Sequence, residues 1–377
     1  MKRTKKIKVL QAIRQGKVGG GETHVVDLVG HLNKDHFQPV VLSFTDGEMI
    51  DKLNDMHVEN YVIHSEKAFD FSTWKSVKTL LREKQIDLIH IHGTRATSNV
   101  YWAAKNLGLP TIYTIHGWSF HDDQNALVKN ARIFFEKWIT KKTDCNISVS
   151  ISNQQTGVKN IPGFKSTVVH NGIDLVKFNP DCCKRKNLRQ ELNIAEDAFI
   201  ICFIGRMTAQ KDPLGLIKAF KQVAEENSKA VLLMVGDGEL KEQAINLVKE
   251  LGLENSVVFQ KSRTDVADVL FSSDIFCLPS LWEGFPIALL EAMAMRKAVI
   301  ATEVDGSIEI IQNKKNGILI KPQNIQMLAD WIKQLINNNH LRKDLAEAAQ
   351  QTILNDFDVK KMAKKIEDVY MSVLSKN

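Results

Sequence analysis

Residues 200–213, IICFIGRMTAQKDP, decide the fold of the second half of the chain. The first five residues form a short apolar run, which is typical of a strand buried on both faces. The run stops at Gly205, and Asp212 followed by Pro213 fits the N-cap and first residue of a helix. A buried strand, a polar loop and a helix start predict one βα unit of a parallel sheet.

The same alternation covers the 377 residues and predicts two doubly wound sheets. Predicted strands in the first half are 7–12, 39–44, 87–91, 111–115, 145–149 and 167–169, and predicted helices are 21–32, 72–83, 94–107 and 126–142. Predicted strands in the second half are 200–204, 231–235, 257–259, 275–278, 299–301 and 318–320, and predicted helices are 213–227, 239–251, 286–295 and 325–337. We expect a first domain over residues 1–178 and a second over 179–356, with a C-terminal helix in 357–377 that crosses back.

Open α/β sheets bind ligands beyond the carboxyl ends of their strands. We therefore expect two Rossmann-like parallel-sheet domains whose carboxyl edges face an interdomain cleft, with the chemistry just after strands in both halves.

Composition places the chain among ordinary globular proteins, at 44% hydrophobic and 25% charged residues. Its five cysteines are an odd number without C-x-x-C spacing, so we expect reduced thiols in a cytoplasmic protein: Cys145, Cys182, Cys183, Cys202 and Cys277. No apolar run reaches the length of a membrane span, and the basic start precedes only a short run that fits a strand.

Positive charge is concentrated in the first half. Residues 1–180 hold 24 basic against 17 acidic residues, a net charge of +7, and the remainder holds 26 against 27. A membrane surface, a lipid phosphate or nucleic acid could be the partner, and a solvated basic face is the alternative. The segment 126–142 interleaves Phe134, Phe135 and Trp138 with basic residues, which suits either contact with anionic lipid or an amphipathic core helix.

A glycine-rich turn, GKVGGGE, occupies residues 16–22. Without Cβ atoms, Gly19 and Gly20 allow backbone N–H groups to approach a phosphate or sugar at a helix start. The alternative is a tight turn that needs positive φ. The order of the glycines differs from the dinucleotide fingerprint G-x-G-x-x-G.

Two cations follow the strand quoted above. Arg206 offers a planar guanidinium and Lys211, next to a helix start, offers a point charge, which together suit a diphosphate. The alternative is two unrelated surface cations.

Two carboxylates lie eight positions apart in residues 279–295, PSLWEGFPIALLEAMAM. Glu291 is the only polar side chain from Pro286 to Met295, a stretch apolar enough for a buried helix. A buried carboxylate needs a partner, which a ribose or sugar diol would supply, and Glu283 precedes the helix in a loop. An internal salt bridge is the alternative.

His116 follows the predicted strand 111–115 and could bind a sugar hydroxyl, although a lone histidine is often structural. His90, His92 and His121 are treated as structural or supporting residues.

Together these residues resemble the retaining glycosyltransferases of family 4, which have the GT-B fold, over nearly the whole chain. Five motifs in the family's order carry the resemblance: G-G-x-E at Gly19, Gly20 and Glu22, the strand-end His116, N-G-[IV]-D at Asn171–Asp174, G-R-x4-K at Gly205, Arg206 and Lys211, and E-x7-E from Glu283 to Glu291. The sequence departs from the family pattern at two places. Asp212 stands where the family often has glycine, and Asp305-Gly306 stands where it commonly has two glycines. The second departure leaves the identity of the donor sugar open.

The resemblance implies roles for these residues. Arg206 and Lys211 would bind the donor diphosphate and stabilise the leaving group, and Gly19 and Gly20 would offer backbone amides. Glu283 would contact the sugar and Glu291 would bind the ribose. His116 would contact the transferred sugar. Gly284 and Phe285 are counted with the donor-binding residues. No metal and no cofactor is expected.

The function implied is transfer of a hexosyl group from a nucleoside diphosphate sugar, with UDP preferred, to a hydroxyl of a glycan or lipid-linked acceptor in polysaccharide or cell-envelope synthesis. No nucleic acid partner is expected, and the expected location is cytoplasmic with an optional peripheral position at the inner face of the membrane. A nucleotide-sugar epimerase of the same fold, a non-catalytic nucleotide-sugar-binding module and an NAD-dependent oxidoreductase are the alternatives.

Overall fold

The computed structural model describes residues 5–17, 19–65, 67–121, 124–182 and 185–376. Cys183, Val18 of the glycine-rich turn and the first basic residues therefore lie outside the described residues. The chain divides into two compact units, one formed by Met1–Gly172 with Val359–Asn377 and the other by Ile173–Asp358.

The first unit contains a seven-stranded parallel sheet. Its strands are β1 (Ile7–Ile13), β2 (Phe37–Ser43), β3 (Asn60–Val62), β4 (Leu88–His92), β5 (Thr111–Ile115), β6 (Cys145–Ser148) and β7 (Thr167–Val168). Its first helices are α1 (Gly20–His31), α2 (Glu48–Asp55), α3 (Phe71–Glu83), α4 (Thr94–Asn106), α5 (Ala126–Lys142) and α6 (Ile151–Asn160). The strand order β3-β2-β1-β4-β5-β6-β7 reverses direction between β1 and β4, which is the switch point where such sheets bind ligands.

The second unit contains a six-stranded parallel sheet. Its strands are β8 (Phe199–Ile204), β9 (Ala230–Val235), β10 (Val257–Gln260), β11 (Ile275–Leu278), β12 (Ala298–Thr302) and β13 (Ile318–Ile320). Its helices are α7 (Pro213–Ala224), α8 (Lys241–Glu250), α9 (Val266–Phe271), α10 (Ile287–Ala294), α11 (Asp305–Ile310), α12 (Ile325–Asn337) and α13 (Asn339–Asp356). The order β10-β9-β8-β11-β12-β13 places its switch point between β8 and β11.

The last helix, α14 (Val359–Leu374), belongs to the first unit. Its apolar residues recur at helical spacing and pack with Val9 of β1 and Leu28 of α1 in one buried cluster. The helix thereby covers a face of the first sheet. The unit limits differ from the predicted ones because the Ile173 N–H donates to the Phe357 carbonyl at 2.8 Å, which ties Ile173 to the second unit.

The predicted pair of doubly wound parallel sheets is confirmed. Every predicted strand and helix is present within three residues of its predicted limits. The sequence patterns missed β3, α2, α6, α9, α11 and α13. None of the helices in the described ranges combines the length and apolar character needed to cross a membrane.

Candidate active site

Glycines bring two loops of the second unit into close contact at the carboxyl edge of the sheet. The Gly205 N–H donates to the Val235 carbonyl, and the Met207 N–H donates to the Asp237 carbonyl, both at 3.0 Å. Gly236 has a φ of 142°, and a Cβ at this position would lie 2.0 Å from the Gly205 carbonyl oxygen. Only glycine fits there, so this packing fixes the loop that carries Arg206.

Lys211 and Glu283 form an ion pair at this edge. Lys211 Nζ lies 2.5 Å from Glu283 Oε1, and the two side chains are only 16% and 5% exposed. The Ser280 hydroxyl donates to the same carboxylate oxygen at 2.6 Å. The proposed phosphate cation and sugar carboxylate are thus bonded to each other, which is the internal salt bridge that the sequence left open.

Two hydrogen bonds, one between backbone groups and one from a side chain, join the loop after β8 to the loop after β11. The Leu281 N–H donates to the Gln210 carbonyl at 2.7 Å, and the Gln210 side-chain amide donates to the Trp282 carbonyl at 2.9 Å. Because β8 and β11 flank the switch point, these contacts place Lys211 and Glu283 where an α/β sheet binds its ligand.

Arg206 differs from Lys211 in having no acidic partner among the described residues, and its side chain is exposed. A guanidinium that is neither paired nor buried is available for an anionic ligand. Among the described residues of the loop after β8, Arg206 is thus exposed and unpaired, whereas Glu283 balances the charge of Lys211.

The start of α7, directly after Lys211, carries an anion of its own. Asp212 is the N-cap of α7 and Pro213 its first residue, as the sequence indicates, and the Asp212 carboxylate accepts the Gly215 N–H at 3.0 Å. Asp212 therefore brings an anion to this helix end, and Pro213 has no N–H to offer. The N-terminus of α7 is therefore a poor place for a phosphate.

Helix α10 carries the second carboxylate. It begins at Ile287, with Pro286 as its N-cap rather than its first residue, and Glu291 is buried within it. Phe285 is buried before the helix, where its ring lies 5.5 Å from the ring of Phe357. Gly284 lies in the same loop, and a Cβ on Gly306 would lie 2.4 Å from the Gly284 carbonyl oxygen.

The turn at Asp305 lies against this loop. Asp305 adopts a φ of 25°, an uncommon conformation for a residue with a side chain. Burial raises the pKa of the Asp305 carboxyl, a shift opposed by a hydrogen bond from the Glu283 backbone N–H. The departure from a glycine pair therefore places a carboxyl group in contact with Glu283.

Two buried hydroxyls near this edge lack a hydrogen-bond partner in the described chain. They are Thr208 Oγ1, in the loop between Arg206 and Lys211, and Ser307 Oγ, next to Gly306. Buried hydroxyls are normally satisfied, so unpaired ones beside a candidate site suit a polar ligand.

In the first unit, the glycine-rich turn leads directly into α1. Gly19 is the N-cap with a φ of −174°, and neither it nor Gly20 has positive φ. The turn therefore does not need glycine for its dihedral angles. A Cβ on Gly21 would lie 3.6 Å from His116 Cδ2, so the turn and His116 are neighbours at one edge of the sheet.

His116 is half-buried and belongs to a cluster of histidines. His92 Nδ1 lies 3.0 Å from His116 Nε2, and the ring of His24 lies 4.8 Å from that of His116. Burial lowers the pKa of His24 to about 4 and lowers the pKa of His92 and His116 well below 6.5. All three imidazoles are therefore neutral at pH 7.

The nitrogen atoms of His24, His92 and His116 lie within 4.8 Å of one another, a spacing that would admit a metal ion. Two of them already share a hydrogen bond. Two further carboxylates, Asp356 at the end of α13 and Asp358 just before α14, do not follow a strand. The absence of a metal requirement stays a prediction.

Sequence reasoning missed the Lys211–Glu283 pair, the contact of Asp305 with Glu283, and the place of His92 beside His116. A signal for the last existed: His92 ends β4 and His116 follows β5, and neighbouring parallel strands bring their ends together.

Comparison with known proteins places the chain among sugar transferases. The family model described as "Glycosyl transferases group 1" matches residues 184–352, and the one described as "Glycosyltransferase Family 4" matches residues 18–177. The uncharacterized glycosyltransferase MJ1178 of Methanocaldococcus jannaschii is 30% identical over 350 residues, which cover 89% of each chain.

A second relative and a solved structure extend the comparison. The UDP-Gal:alpha-D-GlcNAc-diphosphoundecaprenol alpha-1,3-galactosyltransferase of Escherichia coli is 28% identical over 311 residues, covering 81% of this chain and 80% of that protein. The crystal structure of HepE from Anabaena in complex with UDP-glucose matches with a TM-score of 0.85 at 24% identity, covering 97% of this chain and 100% of that one.

Proposed function

Since the chain belongs to the group 1 and family 4 glycosyltransferases and has the GT-B fold, we propose that it moves a hexosyl group from a UDP-sugar to a hydroxyl of a glycan or lipid-linked acceptor, with retention at the anomeric carbon. The name of the Escherichia coli galactosyltransferase gives a UDP-sugar donor and a diphosphoundecaprenol-linked acceptor, and HepE forms a complex with UDP-glucose, which supports these choices. Cell-envelope polysaccharide synthesis is the setting that we propose for the reaction.

One observation carries the proposal: an unpaired arginine and a balanced lysine lie together at the carboxyl edge of the second sheet. As the bond between the anomeric carbon and the phosphate oxygen breaks, negative charge grows on the leaving diphosphate. The Arg206 guanidinium stabilises that charge, and Lys211 joins it when a ligand hydroxyl takes over part of its contact with Glu283. The leaving phosphate oxygen then accepts the proton of the acceptor hydroxyl on the same face of the sugar.

The remaining site residues bind and orient the donor. Glu283 accepts hydrogen bonds from sugar hydroxyls, and Glu291 accepts those of the ribose. Gly284 and Phe285 form the loop between them. In the first unit, the backbone amides of Gly19 and Gly20 face the phosphate and sugar, and His116 contacts the transferred hexose.

Transfer assays with a panel of UDP-hexoses and lipid-linked or glycan acceptors test the proposal. We expect UDP release that depends on acceptor, a product one hexose heavier, and an unchanged anomeric configuration by NMR. Activity should persist in EDTA, because side chains rather than a divalent cation neutralise the diphosphate. Loss of activity in EDTA with recovery in magnesium or manganese would contradict the prediction that transfer needs no divalent cation.

Two site variants test the residues. Arg206→Ala and Glu291→Ala should each lower transfer and weaken UDP binding. The control is Lys218→Ala, an exposed cation on α7 outside the site. If both site variants keep wild-type transfer and UDP affinity, the site assignment is wrong. Conversion of the UDP-sugar to its epimer without acceptor would favour the epimerase, and UDP-sugar binding without either reaction would favour a binding module.

We also propose that the first unit docks on anionic membranes through α5. One face of this helix buries Glu136 and Ile139, while Phe134 and Phe135 are 65% and 43% exposed. Exposed aromatic residues on a unit with an excess of basic residues suit an acidic lipid surface. A lipid-linked acceptor would be presented at that surface.

Co-sedimentation with liposomes tests this contact. Wild-type protein should bind vesicles containing phosphatidylglycerol and not vesicles of phosphatidylcholine alone. The double variant Phe134→Ser/Phe135→Ser should lose most of the binding. The control is Met371→Ser, an equally exposed apolar residue on α14 at 52% exposure. Equal binding by the double variant and the wild type would refute membrane contact through α5.

A further inference from the structure

A continuous chain of hydrogen bonds runs through the first unit behind His116. Its members come from β1, β4, β5, the loop after β5 and α14. In order they are His116, His92, Gln11, Tyr370, His90 and Thr114. Gln11, His90 and Tyr370 are fully buried, and His92 is 2% exposed. No water competes for these groups, so each bond constrains the next.

This series of hydrogen bonds could run in either direction of donation. Each imidazole in it is neutral, with one N–H and one lone pair, so reversing one bond reverses every other. Burial lowers the pKa of His90 and His92 well below 6.5 and raises that of Tyr370, which keeps the rings neutral and the phenol protonated. The direction can be read from Gln11, because its carbonyl oxygen only accepts and its amide nitrogen only donates, so each orientation of the amide corresponds to one direction of the hydrogen bonds.

Gln11 is oriented with its oxygen toward His92. The His92 Nε2–H donates to Gln11 Oε1 at 2.9 Å, so His92 Nδ1 holds a lone pair. That lone pair accepts the Nε2–H of His116 at 3.0 Å. The Gln11 amide donates to the Tyr370 hydroxyl at 2.9 Å, and that hydroxyl donates to His90 Nδ1 at 2.7 Å.

We propose that Gln11, acting through His92, holds His116 in the tautomer with its proton on Nε2, so that Nδ1 presents a lone pair to a hydroxyl of the bound sugar. His116 Nδ1 makes no hydrogen bond with any described residue. Gln11 and His92 are positioning residues and do not touch the ligand. The identity of the ligand rests on the proposed function, whereas the tautomer does not.

Gln11→Glu is the sharpest test. A carboxylate at this position accepts from both neighbours and favours a doubly protonated His92. His92 would then donate from Nδ1 to His116 Nε2, and the His116 proton would move to Nδ1. Every buried group keeps a partner, so we expect the fold to survive while the tautomer of His116 reverses.

Two readouts follow the change. The first is the long-range ¹H–¹⁵N spectrum of protein labelled with [¹⁵N]histidine, in which the signals of His116 are assigned by their loss in His116→Gln. We expect His116 to be protonated on Nε2 in the wild type and on Nδ1 in Gln11→Glu. We expect kcat/KM for transfer to fall about tenfold or more, the size of effect known for residues that orient metal-bound histidines, with UDP affinity unchanged.

Val9→Ala is the matched control. Val9 lies two residues from Gln11 on β1 and is fully buried in the core that contains Tyr370, but it takes no part in the chain. It should lose stability and keep kcat/KM within about twofold. An equal loss of kcat/KM in Val9→Ala would mean that Gln11 acts only through stability, and would overturn the proposal.

Three other results would also overturn it: wild-type His116 protonated on Nδ1, an unchanged tautomer in Gln11→Glu, or one metal ion per purified chain held by His24, His92 and His116. A wild-type protein without transferase activity would contradict the proposed function but not the proposed tautomer, since the NMR measurement needs no substrate.

Discussion

The Lys211–Glu283 ion pair lowers the charge that the site presents before a ligand arrives. Glu283 is 5% exposed at its side chain and is also bonded to Ser280. A buried carboxylate is tolerated because its cation and a hydroxyl replace water. The pair therefore has a structural task in addition to any contact with the donor, and removing Lys211 alone should be worse than removing both charges.

A double-mutant cycle tests that asymmetry. We expect Lys211→Met to lower the free energy of unfolding by about 2–4 kcal/mol, because it leaves a buried carboxylate unpaired. Lys211→Met/Glu283→Gln should recover a large part of the loss. Urea unfolding followed by tryptophan fluorescence provides the comparison. A double variant less stable than Lys211→Met would show that the pair does not balance charge.

Arg206 should behave in the opposite way, affecting catalysis and not stability. Its side chain is exposed and has no acidic partner in the described chain. We expect Arg206→Ala to lower kcat about 10²- to 10³-fold, as for other groups that stabilise transition-state charge, and to leave the melting temperature unchanged. Arg206→Lys should recover only part of kcat, since a lysine cannot make a bidentate contact. A clear fall in melting temperature would instead assign Arg206 a structural role.

At this scale the sequence identified which residues follow strands but not what they touch. The spacing from Gly205 to Lys211 and from Glu283 to Glu291 is local and visible in one chain. The bond between Lys211 and Glu283 joins residues 72 positions apart. Such a contact depends on the register of β8 and β11, which no short pattern contains.

Among the secondary-structure elements, α5 is held in place by one buried carboxylate. Glu136 is fully buried and accepts hydrogen bonds from Thr94 and Ser119 at 2.7 Å and from Tyr113 at 3.0 Å. Three hydroxyls from α4, β5 and the loop after β5 thus converge on one side chain. Because these hydroxyls satisfy the hydrogen-bonding capacity of the Glu136 carboxyl group, the helix can bury that group on one face while it exposes Phe134 on another.

Two substitutions separate the charge of Glu136 from its hydrogen bonds. Glutamine keeps an acceptor for the hydroxyls and removes the buried charge, so Glu136→Gln should change the free energy of unfolding by less than about 1 kcal/mol at pH 7. Glu136→Leu leaves buried hydroxyls without an acceptor and should lose about 3 kcal/mol or more. Thermal unfolding of both variants provides the measurement, and equal losses would contradict the argument.

The difference in stability between wild type and Glu136→Gln should change with pH in a definite direction. Burial raises the pKa of Glu136 above 4.5 in the folded state, a shift opposed by its hydrogen bonds from Ser119, Thr94 and Tyr113. The folded protein therefore binds the proton more tightly than the unfolded chain, and the contribution of Glu136 to stability grows as pH falls from the raised pKa toward 4.5. Wild type should gain stability relative to Glu136→Gln over that interval. The opposite trend would show that the carboxylate is stabilised in its charged form.

The elements that the sequence missed lack a continuous apolar run or a measurable periodicity. Helix α13 has 18 residues but a largely polar sequence, and its start depends on Asn338, whose side chain accepts the Leu341 N–H at 3.0 Å. Strand β3 has three residues at the edge of its sheet, too few for a periodicity. Buried parallel strands and α10 were visible because their continuous apolar runs have no other stable location.

On the scale of the whole molecule, the last helix makes the first unit depend on the end of the chain. Helix α14 contributes Tyr370, which is fully buried, and Ile366 to the same cluster as β1 and α1. A chain ending at residue 358 should expose that cluster, bind the dye ANS and be recovered mostly in the insoluble fraction. A chain ending at Leu374 keeps the helix and is the control. A soluble, ANS-negative chain ending at residue 358 would show that the first unit folds without it.

Hydrogen exchange with and without UDP tests the location of the nucleotide site in the molecule. A ligand that binds only the native state stabilises it by about 2.7 kcal/mol at 100 times its Kd, and the protection should be greatest where it binds. We expect slower exchange in residues 204–212 and 280–286, since both segments follow the strands that flank the switch point of the second sheet. Strand β3 and helix α3, at the far edge of the first sheet, should be unaffected. Arg206→Ala should abolish the protection at matched UDP concentration, because its guanidinium, unlike the Lys211 ammonium, has no carboxylate partner among the described residues. Protection that survives in this variant, or that centres on another sheet edge, would place the diphosphate elsewhere and remove the electrostatic basis of the proposed reaction.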